Sequence, residues 1–287
     1  MEKINIGGVP EHFNYPWHYG IKHGIFAKHG LEISWQDVKG GSGAMCSLLD
    51  SGELDVALVL TEGIIKHIHS GSSSRIIQQY VKSPLVWGVH SATKASFNAD
   101  DLSTARFARS RVGSGSHLMA YVHAEQKGYD LNEENFRTVG NIDGALTAFD
   151  ENKADILLWE KFMTQPYVTS QKVNRIGLCV SPWPCFMMVG SGPFVNDNSG
   201  VIEKLSLAII EASDEVTKNE NTVSEISEMY GLKEDQVAQW YSSVEWQTSP
   251  WISKKMISNV IATLNRISII NEPKSSSEMC TPDALLY

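Results

Sequence analysis

The chain has 287 residues, of which 42% are hydrophobic, 20% charged and 9% aromatic, which excludes disorder over most of its length and fits one large or two medium globular domains. Lys and Arg number 24 against 33 Asp and Glu, a formal charge of −9, and no basic patch offsets it, so nucleic acid is excluded as a partner. The apolar runs, such as Val56 to Leu60 and Leu205 to Ile210, fall far short of the roughly 20 residues a membrane span requires, so no span is expected.

The first half alternates short strand-like runs with helix-length amphipathic segments, the pattern of parallel sheets covered by helices, so the fold class is α/β. Ile4 to Gly8 reads as a strand, Val9 to Tyr15 as a loop, and Pro16 to His29 as one helix stopped by Gly30. Leu31 to Val38 is the second strand. Gly40 to Gly43 is a turn, with Ser42 as the expected N-cap of a helix reaching Gly52. Leu54 to Leu60 is a buried strand that gives way to a helix at Thr61-Glu62-Gly63. Two separate strands follow, Arg75 to Lys82 and Leu85 to His90.

A second βα series comes next: a strand at Ala105 to Ala108, a flexible turn at Gly113 to His117, and a helix from Leu118 to Lys127. Then come a strand at Phe136 to Gly140, a helix at Ile142 to Glu151, a strand at Ile156 to Trp159 and a helix at Lys161 to Ser170. Two runs, Val173 to Val180 and Phe186 to Val189, return the chain. From Ser199 the strand signal stops, and Ile202, Leu205, Ile209, Ala212 and Val216 recur at helical spacing. Helices are expected at Val223 to Tyr230, Glu234 to Tyr241 and Ile252 to Ile267, with a loose tail from Asn271.

The N-terminus enters its first strand without a basic segment, a long apolar run or a small-residue cleavage site. Cys46, Cys179, Cys185 and Cys280 show neither disulfide-scaffold nor zinc spacing, so they read as reduced thiols, and the expected location is cytoplasmic. Three catalytic or metal patterns fail on spacing. Gly40-Gly41-Ser42-Gly43-Ala44 approximates a nucleophile elbow with no His or Asp positioned to complete a triad. Ser91-x-x-Lys94 lacks its partner motifs. His67-x-His69 sets two imidazoles about 200° apart on a helix, too far round to share a metal, and they read as solvated helix-end residues. No cofactor, metal or catalytic residue is expected.

The run Gly24-Ile25-Phe26-Ala27-Lys28-His29-Gly30-Leu31-Glu32-Ile33, together with Ile6-Gly7-Gly8 to Tyr19, resembles the opening of the SsuA/THI5-like (NMT1/THI5-like) family with the type II periplasmic-binding-protein fold. Gly40 to Gly43 with Leu48, Leu49, Gly52, Leu54 and Asp55, then Thr61-Glu62-Gly63, agree in order and spacing. Ile142 to Ile156 is similar to the family's second-domain helix and strand. The resemblance implies two lobes, 1–88 plus 190–287 and 89–189, each a mostly parallel sheet flanked by helices, with a helical C-terminal part and a cleft closing on a small-molecule ligand. The expected function is binding of a polar organic molecule, with a pyrimidine or thiamine precursor among the candidates. Alternatives are a thiamine-pyrimidine enzyme of the THI5 type and a transporter's substrate-binding protein. The histidine that the enzymatic branch consumes is replaced here by Gly63, and its cysteine cluster is reduced to Pro184-Cys185-Phe186.

Loops at the carboxyl ends of parallel strands are where such sheets hold ligands, which picks out the candidate site residues. Glu11, His12, Phe13 and Asn14 combine aromatic faces with polar groups; Trp17, already within the helix, fits core packing better. Ser42 is either a ligand hydroxyl or a cap. Thr61 and Glu62 end a buried strand, and Glu62 either binds an amine or hydroxyl or sits against the helix dipole. In the second series, Ser114, Ser116 and His117 form a weak general anion site at a helix start. Asn141 and Asp143 are ligand groups or caps, Trp159 and Glu160 are expected to face the cleft together, and Cys185 is expected on the hinge side of the pocket, more as a small buried hydrophobe than as a reactive thiol. Converging Glu11, Glu62, Asp143 and Glu160 would favour an amine-bearing or polyhydroxyl ligand over a sulfonate or phosphate.

Overall fold

The computed structural model describes residues 1–95, 101–282 and 284–286. The chain forms two compact units, residues 1–83 with 183–287 and residues 84–182.

The first unit opens with β1 (Glu2–Gly8), a 3-10 turn (His12–Asn14), α1 (Tyr15–Lys22), α2 (Ile25–Lys28), β2 (Leu31–Asp37), α3 (Gly41–Ser51), β3 (Val56–Leu60) and α4 (Thr61–His69). The single helix expected over Pro16 to His29 is two helices. Gly24 stands between them at φ +69°, a left-handed conformation that costs an L-residue with a side chain roughly 1–2 kcal/mol and that glycine adopts freely. β1 pairs parallel with β2 and with β3. Gly8 has no room for a side chain, because a Cβ there would lie 2.5 Å from the Trp35 ring and 2.6 Å from Asn14 Nδ2.

β4 (Arg75–Ala92) then carries the chain into the second unit as one 18-residue strand, where two strands were expected. The interruption read at Ser83-Pro84 is tolerated because the Leu85 amide finds a partner in the Ser181 hydroxyl, 2.9 Å away. The second unit continues with β5 (Phe107–Arg109), α5 (Gly115–Lys127), a 3-10 turn (Glu133–Asn135), β6 (Phe136–Thr138), α6 (Ile142–Asp150), β7 (Ile156–Glu160) and α7 (Gln165–Thr169). Strand β5 pairs parallel with β6 and β7, and β4 pairs antiparallel with β7 from Trp87↔Glu160 to Ser91↔Ile156. One cluster of its core is rich in small residues: Ala108, Ala145, Ala148 and Ala154 pack with Phe149 and Leu157, which lets α6 lie close to the sheet.

β8 (Val173–Gly190) returns the chain, again as one 18-residue strand, and pairs antiparallel with β3 from Leu60↔Phe186 to Val56↔Gly190. Helices α8 (Gly192–Asp197), α9 (Ser199–Lys218), α10 (Thr222–Tyr230) and α11 (Glu234–Tyr241) follow, then β9 (Trp251–Ile252), α12 (Lys254–Arg266), α13 (Ser276–Met279) and β10 (Leu285–Leu286). Helix α9 buries Leu205, Ala208, Ile209, Ala212 and Val216 against α1 and α2. The Tyr15 hydroxyl donates to the Glu225 carboxylate and ties α1 to α10.

The tail from Asn271 is not loose. The Lys274 amide donates to His69 Nε2 at 3.0 Å, Cys280 bridges Ile76, the Thr281 amide donates to the Ile76 carbonyl, and β10 pairs with β9. No side-chain pattern announces these backbone bonds. His67 and His69, read as solvated, are engaged: His67 Nε2 lies 2.9 Å from Asp50 Oδ2 and His69 Nδ1 lies 2.7 Å from the Ile65 carbonyl.

Candidate functional site

In the first unit, β1, β2 and β3 are parallel and β8 runs antiparallel with its Phe186 end beside Leu60. The carboxyl edge of the parallel strands therefore gathers Glu11 to Asn14, Thr61 with Glu62, and Trp183 to Phe186. Glu62 lies in the first turn of α4 and is 1% exposed. Its Oε2 accepts the indole N–H of Trp183 at 2.8 Å, while Oε1 is buried without a hydrogen-bond partner among the described residues. Burial pushes its carboxyl up to about 7 despite the opposing hydrogen bonds from its own backbone amide and from Trp183. Glu11 keeps some solvent-accessible surface yet sits in a dense surround of protein atoms, and desolvation pushes its carboxyl up to about 7 as well.

An aromatic cluster backs these carboxyls. The Phe13 ring lies 5.3 Å from Phe186 and 5.2 Å from Trp240, and the Phe13 carbonyl accepts both the Tyr80 hydroxyl at 2.7 Å and the Trp246 indole N–H at 3.0 Å. His12 is fully buried, 4.1 Å from the Trp240 ring, and burial lowers its imidazole to about 3, so it is neutral at physiological pH. His12 and Phe13 are thus wall rather than rim. Asn14 donates to the Val9 carbonyl at 2.7 Å and leaves Oδ1 buried and unpartnered among the described residues. Trp17 is buried in the core, stacked on Phe26 at 5.2 Å and Trp35 at 6.0 Å.

Two further expectations here need correction. Ser42 is not the N-cap, since α3 begins at Gly41 with Gly40 as its cap; the Ser42 hydroxyl instead accepts the Leu60 amide at 3.1 Å, pinning the end of β3. Ser42→Ala is expected to cost about 1–2 kcal/mol in urea unfolding, because the Leu60 amide loses its acceptor. The Thr61 hydroxyl is likewise engaged and donates to the Pro184 carbonyl. Cys185 is buried and forms no disulfide. Trp183, Tyr80, Trp240 and Trp246 went unnoticed in the sequence. Trp183 stands two residues from Cys185, but the other three come from β4 and the C-terminal segment, and only the tertiary fold brings them to Phe13.

In the second unit the segment read as a free turn is internally tied. Ser116 and His117 belong to α5 itself, and Ser114 is its N-cap. The Ser110 amide donates to Ser116 Oγ at 3.1 Å and Ser114 Oγ donates to the Arg111 carbonyl at 2.8 Å. His117 Nε2 lies 2.8 Å from Arg109 Nη1 and 3.3 Å from Glu133 Oε1, and Arg109 donates to Glu133 Oε2 at 2.7 Å. Burial raises the Glu133 carboxyl, but the hydrogen bond and charge of Arg109, with His117, bring it below the usual carboxylate range.

Asn141 is an N-cap, its Oδ1 accepting the Gly144 amide at 2.9 Å, and Asp143 is exposed in the first turn of α6. Trp159 and Glu160 do not face one way, since neighbours on a strand point to opposite faces. Trp159 packs with Leu157 on the alanine-rich core, whereas Glu160 is buried and its Oε2 accepts the Met163 amide at 2.6 Å. Of the four acidic residues expected to converge, Glu11 and Glu62 belong to the first unit, and within the second Asp143 is exposed while Glu160 is buried.

Among the described residues no group of His, Cys, Asp and Glu is placed to hold a metal ion, and no helix is long and apolar enough to cross a membrane.

This architecture is that of the periplasmic binding proteins. The Candida albicans CA3427 gene product, described as defining a family with the generic periplasmic-binding-protein fold, is 24% identical over 100% of this chain and 96% of its own, with a TM-score of 0.89. The alkanesulfonate-binding protein SsuA from Xanthomonas axonopodis pv. citri, bound to MOPS, is 12% identical over 100% of this chain and 98% of its own, with a TM-score of 0.78. The nitrate-binding protein NrtA from Synechocystis PCC 6803 is 13% identical over 100% of this chain and 86% of its own, with a TM-score of 0.72. A family model described as Ca3427-like PBP matches residues 87–179, which lie inside the second unit. No curated protein matches the chain.

Proposed function

We propose that this chain is a small-molecule binding protein whose ligand is a polar organic molecule rich in hydrogen-bond donors, held at the carboxyl edge of the first unit. The observation that carries this reading is Glu62, a buried carboxyl with one oxygen fixed by Trp183 and the other unpartnered. A buried acceptor without a partner costs free energy that an N–H or O–H of a ligand recovers. Asn14 Oδ1 is a second such acceptor. Two of the similar structures are described as binding alkanesulfonate and nitrate; Glu11 and Glu62 oppose an anion here, and an amine-bearing or polyhydroxyl molecule suits them better. Following the resemblance, ligand binding is expected to bring the two units together, which a fall in the radius of gyration by small-angle scattering would register.

The enzymatic alternative, in which a pocket histidine is consumed, is disfavoured by Gly63: a Cβ there would lie 3.2 Å from Ser42 Cβ, so the position is cramped for an imidazole-bearing side chain. Four buried cysteines that form no disulfide suit a reducing compartment, and fractionation of the native protein tests that location.

Native mass spectrometry of protein purified from its own source is expected to show a retained small molecule. Glu62→Gln should then weaken that molecule about tenfold or more by calorimetry, and unchanged affinity would remove Glu62 from the site. For a cationic amine the parent's affinity should also climb as pH rises toward about 7, because the ionised carboxylate is the form that binds.

A further inference from the structure

A groove of about 690 Å3 lies wholly within the first unit, lined by Gln79, Pro184, Gln247, Ser249, Trp251 and Met256, with Lys82 and Ser253 completing it. It is of the size that takes a small ligand. Neither Glu62 nor Phe13 lines it; it adjoins their surroundings through Pro184, whose carbonyl accepts the Thr61 hydroxyl, and through Gln247, whose backbone amide donates to the Tyr80 carbonyl.

Three observations specify what fits. Gln79, on β4, is 6% exposed, and its side-chain amide pairs with no described residue although it borders the groove. A carboxamide presents one acceptor and two donors side by side, and at the wall of a groove these are open to a ligand with the complementary pair. Trp251 is 45% exposed, whereas Trp17, Trp183, Trp240 and Trp246 are buried; its strand is held by the Gln247 side-chain amide, which donates to the Trp251 carbonyl at 3.1 Å. The exposed indole on this strand offers an aromatic surface for a flat ligand. Lys82 is already neutralised by Glu245 at 3.0 Å, so the groove carries no uncompensated positive charge to favour an anion.

We propose that this groove is a second ligand site, for a neutral planar molecule with an N–H and a C=O on one edge, such as a lactam or primary amide. Gln79 reads that edge in both directions while Trp251 and Met256 hold the flat faces. The proposal stands independently of the role given to Glu62.

Titration with uracil, followed by saturation-transfer NMR and by Trp fluorescence, is the test. Uracil should bind, and 1,3-dimethyluracil, which keeps the planar ring and both carbonyls but carries a methyl group in place of each N–H hydrogen, should bind about tenfold more weakly. Gln79→Leu should abolish the difference between the two probes, and Glu62→Gln should leave it unchanged. Equal binding of the two probes would overturn the proposal, as would no saturation by uracil at about 20 mM. So would a difference lost in Glu62→Gln but kept in Gln79→Leu, which would assign the probe to the other site.

Discussion

Trp17→Ala is expected to lower the unfolding free energy by about 3–5 kcal/mol, the largest loss anticipated for a single substitution in the first unit. The indole is 0% exposed and stacks on Phe26 with an interplanar angle of 6°. Truncation removes this packing and leaves a hole that the neighbours are badly placed to fill. Gly20, one turn on, is already so close to Phe26 that a Cβ there would lie 2.6 Å from its ring, so the helix cannot move inward to collapse the void. Trp17→Phe, which retains most of the stacked surface, should lose less than half as much. Urea unfolding followed by far-UV circular dichroism measures both. The same pair of variants separates two roles: a core residue lowers stability and leaves affinity nearly intact, whereas a ligand-stacking residue does the reverse. A stability loss under about 1 kcal/mol in Trp17→Ala would refute the packing account.

The elements set by local chemistry were legible in the sequence. Strand β3 reads as a buried strand because Val56 to Val59 are apolar without interruption, and α9 is recovered from Leu205, Ile209, Ala212 and Val216 at helical spacing. What escaped was set by partners distant in the chain. Strand β4 reads as split at Ser83-Pro84 because a proline normally ends a central strand, and distant partners keep it going: the Ser181 hydroxyl, from β8, takes the Leu85 amide, and the Glu245 carbonyl takes those of Lys82 and Ser83. Ser42 looks like a cap by position, but the amide it serves belongs to Leu60, 18 residues away. The tail looks disordered by composition, yet its pairing is through backbone atoms that composition does not report. Glu62 was singled out from its place at a strand end; its indole partner Trp183 lies 121 positions on. The aromatic wall around Phe13 was invisible for the same reason.

Glu62→Gln is expected to stabilise the protein by an amount that depends on pH. In the folded chain the Glu62 carboxyl is raised from 4.5 to about 7 by burial, so between those values the folded state keeps a proton that the unfolded state has released. Stability from this group is therefore full below about 4.5, falls as pH rises through the window, and levels off above about 7, with a total on the order of 3 kcal/mol. Glu11 acts in the same direction. His12, lowered to about 3, and His90, lowered to about 4, act oppositely, since the unfolded chain takes up protons on them as pH falls below about 6.5. The parent's own stability profile is thus a sum of opposing contributions and identifies no single group. The difference between the variant and the parent does, because the carboxamide keeps the shape, its oxygen still accepts the Trp183 N–H, and it does not titrate. The two proteins should be within about 1 kcal/mol of each other near pH 4, with the variant gaining steadily to about 3 kcal/mol near pH 7 and no further above it. Urea unfolding at intervals from pH 4 to 8 gives this difference directly, and a flat difference would mean that Glu62 is solvated and ionised throughout. Stability and binding then pull the residue in opposite directions. A carboxyl that weakens the empty fold at neutral pH is retained at a cost that a donor-rich ligand offsets, so the ligand should stabilise the parent more than it stabilises Glu62→Gln.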